Sequence, residues 1–200
     1  MNQKRALKQL KKLEKYTDSN LRLAAEWNKK WKVLIATILS PQTKDETTIK
    51  ISEILFKKYN SPKKLSDASL TEIKKIIKPV NYYKTKAKNI KETAKIISKT
   101  KIPKTCEELL NLPGVGRKVA NVYLAEAENA STIGVDTHIT RISNKLNWTK
   151  NKNPHKIEKD LEKLFPKKYW SSINYIIVRF GRKHQRKDED KIIKSIKNIK

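Results

Sequence analysis

Apolar residues recur along most of the chain three and four positions apart, which is the periodicity of one face of an α-helix. Ala87, Ile90 and Ala94 show this spacing clearly. Residues 31–39 (WKVLIATIL) are nearly apolar all round, which is typical of a helix buried at the centre of a fold. The whole chain has only four glycines, which disfavours long irregular connections. The pattern predicts an all-α protein with short connections.

Caps and breaks divide this pattern into separate helices. We expect an N-terminal helix before Asp18, a helix opened by Asp45, and two short helices capped by Ser61-Pro62 and by Ser66-Asp67. Further helices are predicted at 105–111, 117–128, 137–146, 154–164 and 169–180, with a last one in the tail.

A glycine-rich turn, LPGVG at 112–116, lies between two of these helices, and an arginine and a lysine follow it directly. Gly114 and Gly116 permit positive φ angles and leave backbone N–H groups uncovered. At the start of a helix, such N–H groups and the positive end of the helix dipole together bind anions. A turn that merely joins two helices is the alternative, and the two basic residues favour a phosphate. We therefore expect Gly114, Val115, Gly116 and Arg117 to grip a nucleic-acid backbone without reading its bases.

The net charge points to the same kind of partner. Lysine and arginine total 47 against 20 for aspartate and glutamate, which leaves +27 at pH 7. Such an excess favours a polyanion over a small acidic molecule. Because most of the basic residues are lysines, an AT-rich genome is a second source of the skew, so the charge supports DNA binding without establishing it.

The single cysteine, Cys106, excludes an internal disulfide, a zinc knuckle and a cysteine-ligated cluster. No apolar run approaches the roughly 20 residues of a membrane span. The N-terminus lacks the apolar core of a secretory signal. We therefore expect an intracellular protein of the cytoplasm or nucleoid, with no metal and no membrane contact.

A second motif, Val-Asp-Thr-His at 135–138, places Asp136 eighteen residues after Lys118. With these two residues in place, the stretch 112–141 closely resembles the helix-hairpin-helix DNA glycosylase superfamily, specifically its endonuclease III branch. The motifs LSPQTKD at 39–45 and YYKTKA at 82–87 extend the resemblance over about 31–182.

This resemblance implies a two-lobed fold with the catalytic cleft between the lobes. One lobe would be a helical barrel over 21–130 that contains the helix-hairpin-helix at about 105–128. Residues 1–20 would join 131–200 in a second helical lobe. Sequence pattern alone does not predict that discontinuity.

The resemblance also implies a catalytic pair, Lys118 and Asp136. The enzyme would flip a damaged base out of the duplex, and the Lys118 amine would displace that base, form an imine with the opened sugar and cut the strand by β-elimination. As a nucleophile the amine has to be uncharged, and burial disfavours the ammonium, so we expect Lys118 to be partly buried. Asp136 would take a proton and stabilise positive charge on the sugar. An aspartate just before a helix is also the usual N-cap, and the two roles are compatible.

Three further residues are expected to contact DNA. Gln42 matches the family's gap-filling glutamine, and Tyr82 falls where relatives have an apolar wedge in a Gly-Leu-Tyr loop. Side chains of this kind fill the hole that a flipped base leaves. Here Asn81-Tyr82 replaces Gly-Leu, so recognition of the opposite strand can differ. A loop amide is the alternative for Gln42, and the wedge role of Tyr82 stays open. Lys86, in the same motif, is expected to bind DNA as well.

The C-terminus departs from the family. Many relatives follow Phe-Gly-Arg with four cysteines that hold a [4Fe-4S] cluster, and here Gln185 stands where the first would be. We therefore expect a member with no cluster and no other cofactor. Ile192, Ile193 and Ile196 recur at helical spacing, so an amphipathic helix over 188–200 is predicted to cover that surface. The alternative is a frayed lysine-rich tail.

The chain is thus expected to be a monomeric, bifunctional DNA glycosylase and AP lyase of base excision repair that acts on double-stranded DNA carrying a damaged base or an abasic site. Oxidised pyrimidines are the expected lesions. A glycosylase of the same fold for oxidised purines or mismatched bases is one alternative. A non-enzymatic helix-hairpin-helix DNA-binding protein is another, although gripping phosphate requires neither Lys118 nor Asp136.

Overall fold

The computed structural model describes residues 1–199, and every regular element in that range is helical, which confirms the predicted all-α class. The helices are α1 (Gln3–Glu14), α2 (Lys30–Leu39), α3 (Asp45–Lys58), α4 (Pro62–Asp67), α5 (Leu70–Ile76), α6 (Tyr83–Ile97), α7 (Cys106–Leu109), α8 (Arg117–Glu128), α9 (Thr137–Lys145), α10 (Pro154–Leu164), a 3-10 turn (Lys167–Tyr169), α11 (Trp170–Lys183) and α12 (Arg186–Lys197).

Side-chain caps explain where the short helices begin. Ser61 caps α4 as predicted, because its Oγ accepts a hydrogen bond from Lys64 N at 3.2 Å. The predicted cap at Ser66-Asp67 is wrong. Ser66 donates its hydroxyl to Lys63 O, and it is Ser69 that caps α5 by accepting from Glu72 N at 3.1 Å.

Contacts between Cα atoms divide the chain into two compact units. Residues 23–128 form one, here called the middle unit, and residues 1–22 with 129–200 form the other, here called the terminal unit. The division proposed from the family resemblance has its boundaries at residues 21 and 130.

Helix α2 is the buried centre of the middle unit. Leu34, Ile35 and Ala36 are fully buried, and α6 and α8 both pack against this helix. Trp31, at its N-terminal end, meets Phe56 of α3 edge to face at 5.0 Å between ring centroids. The prediction of a buried central helix is confirmed, and α2 positions the two helices that carry the hairpin and the YYKTKA motif.

In the terminal unit, α9 lies against α11, and Gly181 makes this close approach possible. A Cβ at position 181 would collide with Nδ1 of His138 and come within 3.0 Å of Arg141 Nη2. Within the same unit, the Trp148 indole, just past α9, donates to Gln9 Oε1 of α1 at 2.7 Å in a buried contact. This packing holds α9, the helix that begins within the Val-Asp-Thr-His motif, in place.

The tail forms helix α12, which begins two residues before the predicted start. Ile193 and Ile196 are buried in the apolar core of the terminal unit, while the helix exposes lysines on its other side. Arg5 Nη2 of α1 donates to Lys197 O at 2.6 Å. The amphipathic helix is confirmed for 186–197, and the frayed-tail alternative is wrong there. Lys200, the last residue of the predicted helix, lies outside the described residues.

Candidate functional site

The glycine-rich turn joins α7 to α8 in the middle unit, and Gly114 is required at its apex. Its φ of +80° is a left-handed conformation that side-chain-bearing residues rarely adopt. A Cβ there would also lie 2.8 Å from Asn89 Nδ2 and 3.0 Å from Ile38 Cγ2. Thr93 of α6 donates its hydroxyl to Pro113 O at 2.9 Å. The turn is therefore packed onto α2 and α6.

Gly116 differs from Gly114, although the sequence suggested positive φ at both. Only Gly114 adopts it among the glycines of residues 1–199. A Cβ at position 116 would meet no atom within 4 Å, so packing in this structure does not require glycine there. Because Gly116 has no side chain, its backbone is exposed directly before α8. The first N–H groups of a helix lack intrahelical partners.

Val115 and Arg117 flank that exposed glycine. The Val115 side chain is buried, and its N–H donates to Leu112 O at 3.1 Å, so this residue anchors the turn to the protein. Arg117 is half-buried at the first position of α8. The turn thus has a buried support on one side of Gly116 and a cation on the other.

Lys118 is the second residue of α8 and is half-buried. This degree of exposure agrees with the partial burial expected of a nucleophilic lysine. The positive charge of Lys118 contributes to lowering the pKa of a second lysine of the middle unit, Lys86 on α6.

The Lys86 side chain is buried, with 7% of its surface exposed, and it does not reach outward as a DNA-binding lysine would. Its Nζ donates to Leu39 O at 2.7 Å, to Pro41 O at 2.6 Å and to Thr43 Oγ1 at 3.4 Å. Burial, and secondly the positive charge of Lys118, lower the pKa of Lys86 to about 8. Lys86 therefore supports the loop after α2 from inside the protein.

Gln42 and Tyr82 stand on two neighbouring loops of the middle unit. Both side chains are exposed, and Tyr82, at 65%, is the most exposed large apolar residue of the described chain. The loops are joined by Asn81, whose side-chain amide donates to Gln42 O and whose backbone N–H donates to Thr43 Oγ1 at 3.2 Å. The two residues predicted to fill the gap in DNA are thus brought together by this structure.

Asp136 belongs to the terminal unit, where it caps α9. Its Oδ1 accepts a hydrogen bond from Ile139 N at 2.8 Å, as the N-cap interpretation predicted. Among residues 1–199, no group donates a hydrogen bond to Oδ2 in this structure, and the side chain is half-buried. One carboxylate oxygen is therefore committed to capping the helix.

The residues present do not fit a four-cysteine iron-sulfur cluster. The chain has one cysteine, Cys106, which lies on α7 of the middle unit, whereas such a cluster needs four. Within the described part of the chain, no group of three or more histidine, cysteine, aspartate or glutamate side chains is placed to hold a metal ion. Over the same residues, every helix is too short or too polar to cross a bilayer.

Sequence reasoning did not identify two residues that this structure makes prominent. Asn81 attracted notice only as a departure from Gly-Leu-Tyr, and its bond to Gln42 joins positions 39 residues apart. Glu189 is fully buried between Arg141 and Lys145 of α9, yet it looks like one more charge in a charged tail. Only its helical spacing to the buried Ile193 and Ile196 could have indicated burial.

This chain is similar in sequence to proteins of one known family. Residues 35–167 match the family described as HhH-GPD superfamily base excision DNA repair protein. Endonuclease III of Thermotoga maritima is 42% identical over 156 residues, which cover 76% of this chain and 73% of the relative. Endonuclease III of Synechocystis is 40% identical over 154 residues, covering 75% of this chain and 70% of that protein.

Two solved structures of endonuclease III with DNA have the same fold. A non-covalent complex superposes with a TM-score of 0.85 at 30% identity, covering 92% of this chain and 87% of the other. A trapped covalent DNA intermediate superposes with a TM-score of 0.84 at 30% identity, covering 92% and 88%. The chain therefore belongs to the HhH-GPD superfamily of base excision DNA repair proteins, as a homologue of endonuclease III.

Proposed function

We propose that this protein excises damaged bases from double-stranded DNA and then cuts the strand at the resulting abasic site, with oxidised pyrimidines as its main substrates. The observation that carries the proposal is Lys118. It is a half-buried lysine at the second position of the helix that follows an exposed glycine turn. A protein that only gripped phosphate would need no lysine held in this way.

DNA would bind through the backbone of the turn. Gly116 exposes its backbone, and α8 begins at the next residue, so N–H groups and the positive end of the helix dipole are available to one phosphate. Arg117 would add a charge-assisted contact. The net charge of +27 would attract DNA over a longer range.

The uncharged Lys118 amine would attack the anomeric carbon of the damaged nucleotide. The bond to the base breaks, the base leaves with the electron pair, and the sugar ring opens to give a protonated imine on Nζ. That imine acidifies the neighbouring C2′ position. Loss of a C2′ proton then expels the 3′ phosphate by β-elimination. An endonuclease III structure similar to this chain is a trapped covalent intermediate with DNA, which supports this route.

Asp136 would serve this chemistry through its second carboxylate oxygen. Its Oδ1 is occupied by Ile139 N, which holds the carboxylate in one orientation. Its carboxylate would stabilise the positive charge that develops on the sugar as the base departs, and it would take up a proton during the reaction. Gln42 and Tyr82, both exposed, would enter the duplex and occupy the space of the flipped nucleotide.

Borohydride reduction in the presence of a duplex with one abasic site tests the lysine chemistry. The wild-type protein should become covalently joined to the DNA, and Lys118→Gln should not. Lys57→Gln, which alters an exposed lysine of α3, is the matched control and should be trapped like the wild type. Cross-linking of Lys118→Gln at the wild-type level would show that another amine is the nucleophile.

The lesion class needs a separate measurement. Single-turnover excision is measured on duplexes that differ only in one base, either thymine glycol or 8-oxoguanine. Faster removal of thymine glycol is expected. Faster removal of 8-oxoguanine would assign the protein to oxidised purines while leaving the Lys118 chemistry intact.

A further inference from the structure

Two non-glycine residues with left-handed backbone conformations stand at the same surface of the middle unit. Gln42 and Tyr82 both have a φ of +58°. Side chains disfavour this region, and a residue stays in it only where its surroundings hold it there. These are the two residues that we assign to the gap in the DNA.

Asn81 provides the link between the two. Its side-chain amide N–H donates to Gln42 O, and its backbone N–H donates to Thr43 Oγ1 at 3.2 Å. The residue that follows it is Tyr82. Any displacement of the Gln42 loop therefore pulls on the backbone that carries Tyr82.

Lys86 fixes the same loop from the buried side. It donates to Pro41 O at 2.6 Å, the carbonyl directly before Gln42, and to Leu39 O at 2.7 Å at the end of α2. The loop is thus held on one side by a buried cation and on the other by the Asn81 amide. The Gln42 side chain itself is exposed.

We propose that Asn81 is a positioning residue whose side chain holds the Gln42 loop against the Tyr82 loop, so that both side chains enter DNA as one pre-formed wedge. The inference rests on the proposed function and deepens it. A wedge that is already ordered in the free protein loses little conformational freedom on insertion, which favours binding.

The test compares Asn81→Ala with the wild type in single-turnover cleavage of an abasic site. The DNA is either a duplex or the same strand alone, because only a duplex has an opposing strand into which a wedge inserts. We expect a loss of about fivefold on the duplex, the usual scale for one hydrogen bond, and no loss on the single strand. Asn60→Ala, which alters an exposed asparagine just past α3, should match the wild type on both.

A double-mutant cycle with Gln42→Ala shows whether Asn81 acts through Gln42. If it does, adding Asn81→Ala to Gln42→Ala costs clearly less on the duplex than Asn81→Ala costs in the wild type, because one of the two side chains that Asn81 positions is already gone. Fully additive losses would mean that Asn81 contacts DNA directly and would overturn the proposal. Equal losses on duplex and single strand would also overturn it, since the wedge would then not be involved.

The outcome is distinguishable from failure of the enzymatic function itself. A wild-type protein that cleaves neither substrate and is not trapped by borohydride lacks the lysine chemistry, and both proposals then fall. If the wild-type protein cleaves both substrates and Asn81→Ala cleaves the duplex equally fast, only the positioning role of Asn81 is overturned.

Discussion

Arg141 and Glu189 form a two-point ion pair that ties α9 to the tail helix α12. Arg141 donates Nε to Oε1 at 2.9 Å and Nη2 to Oε2 at 2.7 Å, and the Glu189 side chain is fully buried. Lys145 adds a third bond to Oε1 at 2.8 Å. Burial by itself would raise the pKa of Glu189, but the hydrogen bonds from Arg141 and Lys145 outweigh it and lower that pKa. The helix capped by Asp136 is therefore held at its far side by the tail.

Replacing Glu189 by glutamine is expected to destabilise the protein strongly. The change leaves the half-buried Arg141 without its carboxylate and turns an amide N–H toward two cations. Breaking a buried pair in this way typically costs about 3 to 5 kcal/mol. Urea unfolding followed by circular dichroism should show a loss of that order at pH 7.

Asp190→Asn is the matched control for Glu189→Gln. Asp190 also pairs with Lys145, at 2.5 Å, but 61% of its side chain is exposed, and exposed pairs contribute less than about 1 kcal/mol. Because the Glu189 pKa is lowered on folding, its contribution is present above the unfolded pKa of about 4.3 and is lost as the pH falls through the folded value. Equal effects of the two substitutions would contradict the role given to Glu189.

The buried ammonium of Lys86 predicts a second dependence on pH, with the opposite sign. Its pKa is about 8 in the folded protein, below the roughly 10.4 of an unfolded chain. Between these values the unfolded chain carries a proton that the folded chain has released. Raising the pH therefore favours folding, by up to about 1.4 kcal/mol per pH unit. From about pH 8 to pH 10, the unfolding free energy of the wild type should rise relative to that of Lys86→Met by up to about 1.4 kcal/mol per pH unit.

The difference between the two proteins isolates this effect from the titration of the many other lysines. Removing the neighbouring charge with Lys118→Gln should move the onset of the Lys86 effect to higher pH, because that charge is the second cause of the lowered pKa. Parallel curves for wild type and Lys86→Met over the whole range would show that the ammonium is not held as the structure has it.

How far the sequence could predict this structure depends on the range of the interactions. Local patterns were sufficient for α2, whose apolar composition marks burial, and for α9, whose N-cap is Asp136. They failed at α5, because Ser66, Asp67 and Ser69 are all plausible caps and the choice depends on which hydroxyl is already bonded to α4. The position of the cap was decided by the hydrogen bond from Ser66 to Lys63 O, which residue types alone do not predict.

Within the candidate site, the motif residues were predictable and their supports were not. The turn at 112–116 is recognisable because it holds two of the chain's four glycines, directly before a stretch with helical spacing. The motif predicted that Lys86 binds DNA, whereas its side chain is buried against the carbonyls of Leu39 and Pro41, a pairing that no local pattern indicates. Asn81 and Glu189 likewise act through partners distant in sequence.

Gly116→Ala should separate DNA binding from folding. Its Cβ would meet nothing within 4 Å, so the free energy of unfolding should change by less than about 1 kcal/mol. The added methyl would stand between the exposed backbone and a phosphate, and the loss of one such charge-assisted bond should weaken binding by about tenfold. Fluorescence anisotropy with an abasic-site duplex measures the affinity.

Gly181→Ala is the converse control. There a Cβ would collide with His138 and crowd Arg141, so the protein should lose about 1 to 2 kcal/mol of stability although alanine favours a helix. The affinity of the folded fraction for DNA should be unchanged. If Gly116→Ala bound DNA as tightly as the wild type, the turn would not be the phosphate site.

Asp136 allows its structural and chemical roles to be separated by two substitutions. Asparagine keeps an oxygen that can accept from Ile139 N, so Asp136→Asn should preserve the cap and nearly all of the stability. It removes the carboxylate charge, so single-turnover excision should fall by about a hundredfold or more, while DNA affinity stays the same or rises. Asp136→Ala loses the cap as well and should unfold about 1 kcal/mol more easily than Asp136→Asn. Comparable excision by Asp136→Asn and wild type would limit this residue to capping α9, because the only property that the asparagine variant lacks is the negative charge.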